Sequence, residues 1–224
     1  MKRVIDYMEK NWDELWRDSD KIRRWSIPDY HFIEYFKKIE NSDEALNALD
    51  MGCGIGRHSE YLAERGFNVT AVDPSLSAID YLQQKCTEKN LQMEIVKGDL
   101  TWLKTVKENS FDLIVSWNVI YHNNLAELED ALKEFYRILT PGGSIFLTLN
   151  SVNNIHYGKG IEIEKNTFIK QKKLDGDHPH HYSDKDEVDK LLSGFKVLSL
   201  TEDEEEVGGK LFEDRWHWYI HAQK

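Results

Sequence analysis

The chain has 224 residues, 40% hydrophobic and 31% charged, which is enough for one buried core but tight for two full domains. Its formal net charge of −11 argues against a nucleic-acid partner, because phosphate backbones call for a basic face. No apolar run approaches the roughly 20 residues that span a bilayer. Met1 to Lys10 lack the apolar stretch of a signal peptide, and Cys53 and Cys86 sit in unlike contexts, so a reducing cytoplasm is the expected compartment.

In chain order, residues 1 to 40 are helix-prone and aromatic, with Trp12, Trp16, Trp25, Tyr30, Phe32 and Phe36. From Leu46 onward strand and helix patterns alternate. Leu46 to Asp50 reads as a first strand, Gly52 to Gly56 as a turn, and Arg57 to Arg65 as a helix that Gly66 terminates. Val69 to Asp73 is a second strand. Ser75 to Lys89 has Leu76, Ile79 and Leu82 at helical spacing, and Met93 to Val96 is a third strand. Phe111 to Trp117 is a continuous apolar run, as expected of a strand covered on both faces. Asn124 to Leu139 is an amphipathic helix, and Pro141-Gly142-Gly143 turns into a fifth strand, Ser144 to Leu149.

Residues 150 to 182 break the alternation. They are polar and carry Asn150, Asn153, Asn154, His156, His178, His180 and His181. Ser183 with Asp186 resembles a capping box for a helix ending near Gly194. Phe195 to Leu200 and Trp216 to Ala222 are two last strands, able to pair as an antiparallel hairpin. The acidic run Glu202 to Glu206 between them reads as a solvated loop. The count is a doubly wound α/β fold, with a mostly parallel seven-stranded sheet, helices on both faces and an antiparallel C-terminal strand. Residues 1–224 are expected to be one domain. Residues 150 to 182 leave strand five at its carboxyl end, where such sheets hold ligands. With residues 1 to 40 they are the expected cover of an active site.

The most informative stretch is Leu49-Asp50-Met51-Gly52-Cys53-Gly54-Ile55-Gly56-Arg57. Glycines at alternate positions let the backbone turn tightly and approach a ligand. A dinucleotide fingerprint would want its third glycine at position 57, where Arg57 stands, and no Gly-Lys-Ser/Thr ending grips a phosphate. Asp50, Asp73 and Asp99 mark three strand ends around the turn. A carboxylate at the tip of strand two can accept from both ribose hydroxyls, and one after strand three from an adenine amine. This set suits a ligand with ribose, adenine and a cationic centre better than a pyrophosphate.

Leu49 to Gly56, Val72-Asp73-Pro74-Ser75, Gly98-Asp99, Phe111 to Ser116 and Leu139-Thr140-Pro141-Gly142-Gly143 together resemble the class I S-adenosylmethionine-dependent methyltransferases, in that family's order and spacing. The likeness is greatest to small bacterial members that act on small molecules. It implies S-adenosyl-L-methionine as cofactor. Asp50, Gly52, Gly54 and Gly56 would hold its methionine part, Asp73 its ribose with Leu76 packed nearby, and Asp99 and Leu100 its adenine. Ser116, Trp117 and Asn118 would line the site after strand four.

Methyl transfer from a sulfonium is a displacement, so the protein mainly supplies proximity, worth about 7–11 kcal/mol in favourable cases. Tyr121 and His122 are the expected catalytic residues, with His122 a candidate base, and His58 could touch the methionine end or the acceptor. Ser116-Trp117-Asn118-Val119 lacks the Asp/Asn-Pro-Pro-aromatic motif of many base N-methyltransferases. That argues against base N-methylation but leaves other macromolecular targets open; a small-molecule acceptor is what the resemblance implies. The alternatives are a non-catalytic cofactor-binding protein and a methyltransferase acting on protein or RNA. Cys53 reads as a small filler. The compact spacing of His178-Pro179-His180-His181 lacks a regular scaffold and a Cys or carboxylate partner at a familiar interval, so no metal is expected.

Overall fold

The computed structural model describes residues 12–38, 46–169 and 178–224. Parts of both expected cover regions, residues 1–11, 39–40 and 170–177, lie outside them. After helical residues 12–15 come two short helices, α1 (Ser19–Arg24) and α2 (Tyr30–Phe36), each opened by an aspartate, Asp18 or Asp29, that accepts first-turn N–H groups. The alternating unit follows: β1 (Asn47–Met51), α3 (Arg57–Ala63), β2 (Asn68–Asp73), α4 (Leu76–Lys89), β3 (Glu94–Lys97), β4 (Phe111–Ser116), α5 (Leu125–Ile138) and β5 (Leu139–Ser151). The chain continues through β6 (Ile161–Glu164), β7 (Thr167–Ile169), β8 (Pro179–Ser183), α6 (Lys185–Leu191), β9 (Lys196–Val207) and β10 (Lys210–Gln223).

Strands β3-β2-β1-β4-β5-β10-β9 are the seven expected from sequence, with β10 antiparallel to both neighbours. The period-2 alternation sorts the side chains into two layers. Leu49, Ile114, Ile145 and Leu147 meet Leu128, Leu132 and Phe135 of α5 on one face. Ala48, Leu113, Val115 and Phe146 meet Leu62, Ile79, Leu82 and, from α2, Phe32 and Phe36 on the other. The expected N-terminal cover is therefore split. Phe32 and Phe36 are fully buried core, whereas Trp12, Trp16 and Trp25 belong to the cleft described below.

Three features depart from the sequence reading. Glu202 to Glu206, expected as a solvated loop, lies within β9. Strand alternation there lets Glu205 turn inward to Arg215 at 3.3 Å, while Glu202 accepts from Ser151 and Asn153. The helix cap expected at Ser183 is Asp184, which accepts from Glu187 N–H, because Ser183 closes β8 and its carbonyl accepts from Trp218. Residues 150 to 182 also add a small antiparallel ribbon, β6-β7-β8, whose β8 pairs with β5 at Asn150 and Ser151, beyond the end of β4. Among the described residues no helix is long and apolar enough to cross a membrane.

Residues 12–38 are tied down at three points. Asp13 accepts from Ser75 and from the Ser77 N–H at the start of α4. His58 accepts from the Asp29 N–H at 3.3 Å, and His31 stacks on Tyr219 at 3.7 Å and meets Asp203 at 3.2 Å. Burial opposes a charged His31, but Asp29 and Asp203 outweigh it and the pKa is raised. A raised value gives stability that is full below the unfolded pKa and is lost as pH rises through the folded one. His31→Gln is expected to cost about 1 kcal/mol at pH 6 and less at pH 8.5. Thermal melts of both proteins across that range would show the gap closing; a gap constant with pH would remove the charged bridge.

Candidate active site

β1 ends in the turn Gly52-Cys53-Gly54, and two glycines there are required by geometry. Gly52 has φ +76°, and a Cβ on it would overlap Val119, just past β4. Gly54 has φ +52°, and a Cβ on it would stand 2.9 Å from the Trp16 ring. Both the left-handed backbone and the close neighbours exclude a side chain. The turn is fixed from β2: Asp73 accepts from Gly54 N–H at 2.8 Å and from Ser75 N–H at 2.9 Å. Cys53, buried with its thiol pKa pushed well up by burial, is a filler as expected.

A cleft of about 1380 Å³ opens at the carboxyl ends of β1, β2 and β4. That exceeds the roughly 300–1,000 Å³ of a typical single-ligand pocket, so two ligands fit side by side. Its walls include Gly52, Gly54, Asp73, Asp99, Leu100, Trp117, Tyr121 and His122 among the residues expected from sequence. Asp50, Gly56, Leu76 and Ser116 are not on the wall. Asp50 is buried beneath the turn and accepts from Ser59 at 2.6 Å. Gly56 packs on Leu82, the Ser116 side chain is fully enclosed, and Leu76 is half exposed at the start of α4. The glycine turn and helix geometry carry these four residues away from the opening.

Two carboxylates dominate the electrostatics. Burial pushes Asp73 up to about 6, with Asp50 and Asp13 adding repulsion and the Ser75 and Gly54 N–H groups opposing. Burial also pushes Asp50 up to about 6, against Ser59 and the nearby Arg57. Asp73 uses two of a carboxylate's roughly four lone-pair sites in the fold and keeps two for a ligand. Asp99 caps the 3-10 turn Leu100–Thr105 through Oδ1, which accepts from Thr101 N–H at 2.8 Å and from its hydroxyl.

The far half of the cleft was only partly foreseen. Asn118, at φ +61°, donates its N–H to Thr148 and accepts from the Thr148 hydroxyl, which fixes the chain after β4. The buried Trp117 indole N–H makes no hydrogen bond among the described residues. Trp12, Leu15, Trp16 and Trp25 close one side, and Asn150, Asn154, Tyr182, Arg215 and His217 another. Arg57 and the last two carry no sequence signal; the β9-β10 hairpin and the fold-back of residues 12–38 bring them in. His58 is on the wall, but burial and the Arg57 charge push its pKa well down, so it is a neutral acceptor for Asp29. His178 and His180 do have a scaffold, contrary to the sequence reading: they run into β8, and His178 Nε2 lies 3.1 Å from His122 Nδ1.

Residues 48–143 match the model of a methyltransferase domain. The chain is 34% identical over 121 residues to a ubiquinone biosynthesis O-methyltransferase of Rickettsia bellii, covering 54% of this chain and 49% of that protein. It spans about half the length, or less, of the first curated relatives it matches. Among solved structures, it superposes on a SAM-dependent methyltransferase from Methanosarcina mazei with a TM-score of 0.71 at 23% identity, over 88% of this chain and 98% of that one. A 1,6-didemethyltoxoflavin-N1-methyltransferase of Burkholderia thailandensis, with bound 1,6-didemethyltoxoflavin and S-adenosylhomocysteine, gives 0.64 at 16%, over 87% and 76%. The glycine turn, the aspartates at the tips of β2 and β3 and the strand order agree with these likenesses: residues 48–143 match a methyltransferase domain, and the chain is similar to S-adenosylmethionine-dependent methyltransferases.

Proposed function

We propose that the chain transfers a methyl group from S-adenosylmethionine to a small-molecule acceptor, with both bound in the one cleft. The observation that carries this is the division of the cleft. One half is the glycine turn with Asp73, Asp99 and Leu100, over which Trp16 packs; the other is polar and aromatic and roofed by Trp12. A roof of this kind leaves room for a small acceptor and excludes a folded macromolecule. The ubiquinone-pathway and toxoflavin enzymes it resembles are named for small acceptors, which supports the same class here.

The residues present fit the cofactor. Asp73 would receive the ribose hydroxyls through its two remaining lone-pair sites, Asp99 and Leu100 would receive the adenine, and Gly52 and Gly54 give the turn its left-handed backbone beside them. Asp50 acts from beneath the turn: two buried carboxylates favour a ligand carrying positive charge. S-adenosylmethionine, when bound, supplies an electrophilic sulfonium methyl. The chain's own work is to orient the acceptor and keep water out. Tyr121 and His122 face the acceptor half. His122 is engaged with His178 at 3.1 Å, so it is not a lone base.

The raised Asp73 carboxyl sets a pH dependence. In the ligand-free protein its ionisation costs stability as pH rises from about 4 through about 6, the reverse of an ordinary paired carboxylate. A cationic ligand favours the ionised form, so affinity should increase as pH rises through about 6. Calorimetric titration at pH 5 and pH 7.5 is expected to show this. Asp73→Asn should weaken binding at pH 7.5 by roughly 10–100-fold, the worth of hydrogen bonds to a charged group, and flatten the pH dependence. Unchanged affinity in the variant would remove Asp73 from the site.

The acceptor class is tested by incubating the protein with methyl-labelled cofactor and, separately, a metabolite extract, an RNA pool and a denatured protein pool. Label is expected in the metabolite fraction. Trp12→Ala should reduce that transfer at least roughly tenfold while cofactor affinity stays within about twofold, since Trp12 roofs the acceptor half. Label in RNA or protein overturns the small-acceptor reading, and label in none of the three leaves a binding protein.

A further inference from the structure

Methyl transfer does not by itself call for three histidines on one wall of the cleft. His122 ends the 3-10 turn that follows β4, and His178 and His180 lie at alternate positions entering β8. The period of two sends these last two to the same side, while His181 points the other way, to Thr167 and Glu187. The β5–β8 pairing lays that side against the His122 turn. Ring centroids are 4.8 Å apart for His122 and His178, 4.8 Å for His122 and His180, and 4.6 Å for His178 and His180. One nitrogen from each lies within 4.8 Å of the others, and the His122–His178 pair stands at 3.1 Å. Nitrogens sharing one tetrahedral zinc at about 2.0–2.1 Å lie roughly 3.3 Å apart. One pair already has this spacing, and the other two lie within 4.8 Å.

The surroundings match a metal centre in two further ways. His180 Nδ1–H donates to the His178 carbonyl at 3.2 Å, which fixes the tautomer with the lone pair on Nε2; ligating histidines are commonly oriented by such a bond. Trp12 packs at 5.1 Å from His122 and 5.3 Å from His178, an apolar cover that strengthens the attraction between an ion and its ligands. Three imidazoles with no carboxylate in the cluster disfavour magnesium and calcium, which want oxygen, and favour zinc, cobalt, nickel or copper. All three histidines are on the cleft wall beside Asn118 and Tyr121, so a fourth coordination position opens on the acceptor half. Three protein ligands and one open position are the pattern of zinc sites that handle a substrate.

We propose that His122, His178 and His180 bind one zinc-type divalent ion, whose open position takes an oxygen of the acceptor. The ion site stands on its own geometry; the acceptor oxygen rests on the methyl-transfer reading. The sequence masks the site because its third ligand lies 56 positions before His178.

The full-length protein, stripped with a chelator and dialysed, is titrated with Co²⁺ alone and followed by visible absorption, then challenged with Zn²⁺. The expected result is one ion per chain, with absorption of a four- or five-coordinate nitrogen site that Zn²⁺ abolishes. His180→Ala should weaken binding at least roughly 100-fold. His122→Ala, at a partly exposed position less prone to disturb folding, should do the same. Both variants, folded by circular dichroism, should keep cofactor affinity. No stoichiometric binding to the wild type, or unchanged affinity in both variants, overturns the site. Adding catechol as an oxygen-donor probe should shift the cobalt spectrum; an unaltered spectrum overturns the open position. If Co²⁺ binds as expected but S-adenosylmethionine does not, the methyl-transfer reading falls and the ion site remains.

Discussion

The pair of hydrogen bonds from Gly54 and Ser75 N–H to the Asp73 carboxylate holds the site together. One side chain at the tip of β2 fixes the turn that leaves β1 and helps to open α4. The local fold needs that carboxylate buried, and burial raises its pKa. A group so placed is under-neutralised by the protein alone. The same bond that shapes the turn therefore creates a preference for a cationic ligand. Asp50, one turn below and similarly raised, extends the preference without touching the cleft. Recognition of charge here is partly a long-range property of the sheet's edge rather than a list of contacts.

Much of this was legible in the sequence, because it is local. The strand–glycine–helix order, the carboxylates at strand ends and the two-layer burial all follow from patterns within about ten residues. Gly52 and Gly54 were identified by spacing, and their left-handed φ values explain why no other residue serves. Local reasoning does not tell a motif residue on the cleft wall from one behind it. Asp50, Gly56, Ser116 and Leu76 stand off the wall.

What the sequence hid depends on tertiary pairing. The acidic residues of β9 look like a loop by composition. Antiparallel pairing with β10 makes them a strand, in which Glu205 meets Arg215 and Glu202 accepts from Ser151 and Asn153. The histidines near 180 look unsupported because their scaffold is a strand that forms by pairing with β7 and, at its end, with the last two residues of β5. Fold-back of residues 12–38 was likewise unreadable, since it rests on Asp13 reaching Ser75 and Ser77 and on His31 reaching Asp203, across more than sixty and a hundred and seventy positions.

That fold-back divides one segment between two tasks. Phe32 and Phe36 are locked in the core, where each fully buried aromatic contributes about 1.5–3 kcal/mol. Trp12 and Trp16, some twenty residues earlier, are only partly buried and rest on the histidine cluster and the glycine turn. Stability is thus concentrated at one end of the segment and contact with ligands at the other. Local opening has its lowest cost where few apolar groups are buried, so the end over the cleft can lift while α2 stays packed. The Asp13 hydrogen bonds to α4 are the contacts that hold that end over the cleft. They anchor beside Asp73, which couples closure of the roof to the carboxylate that shapes the cofactor half.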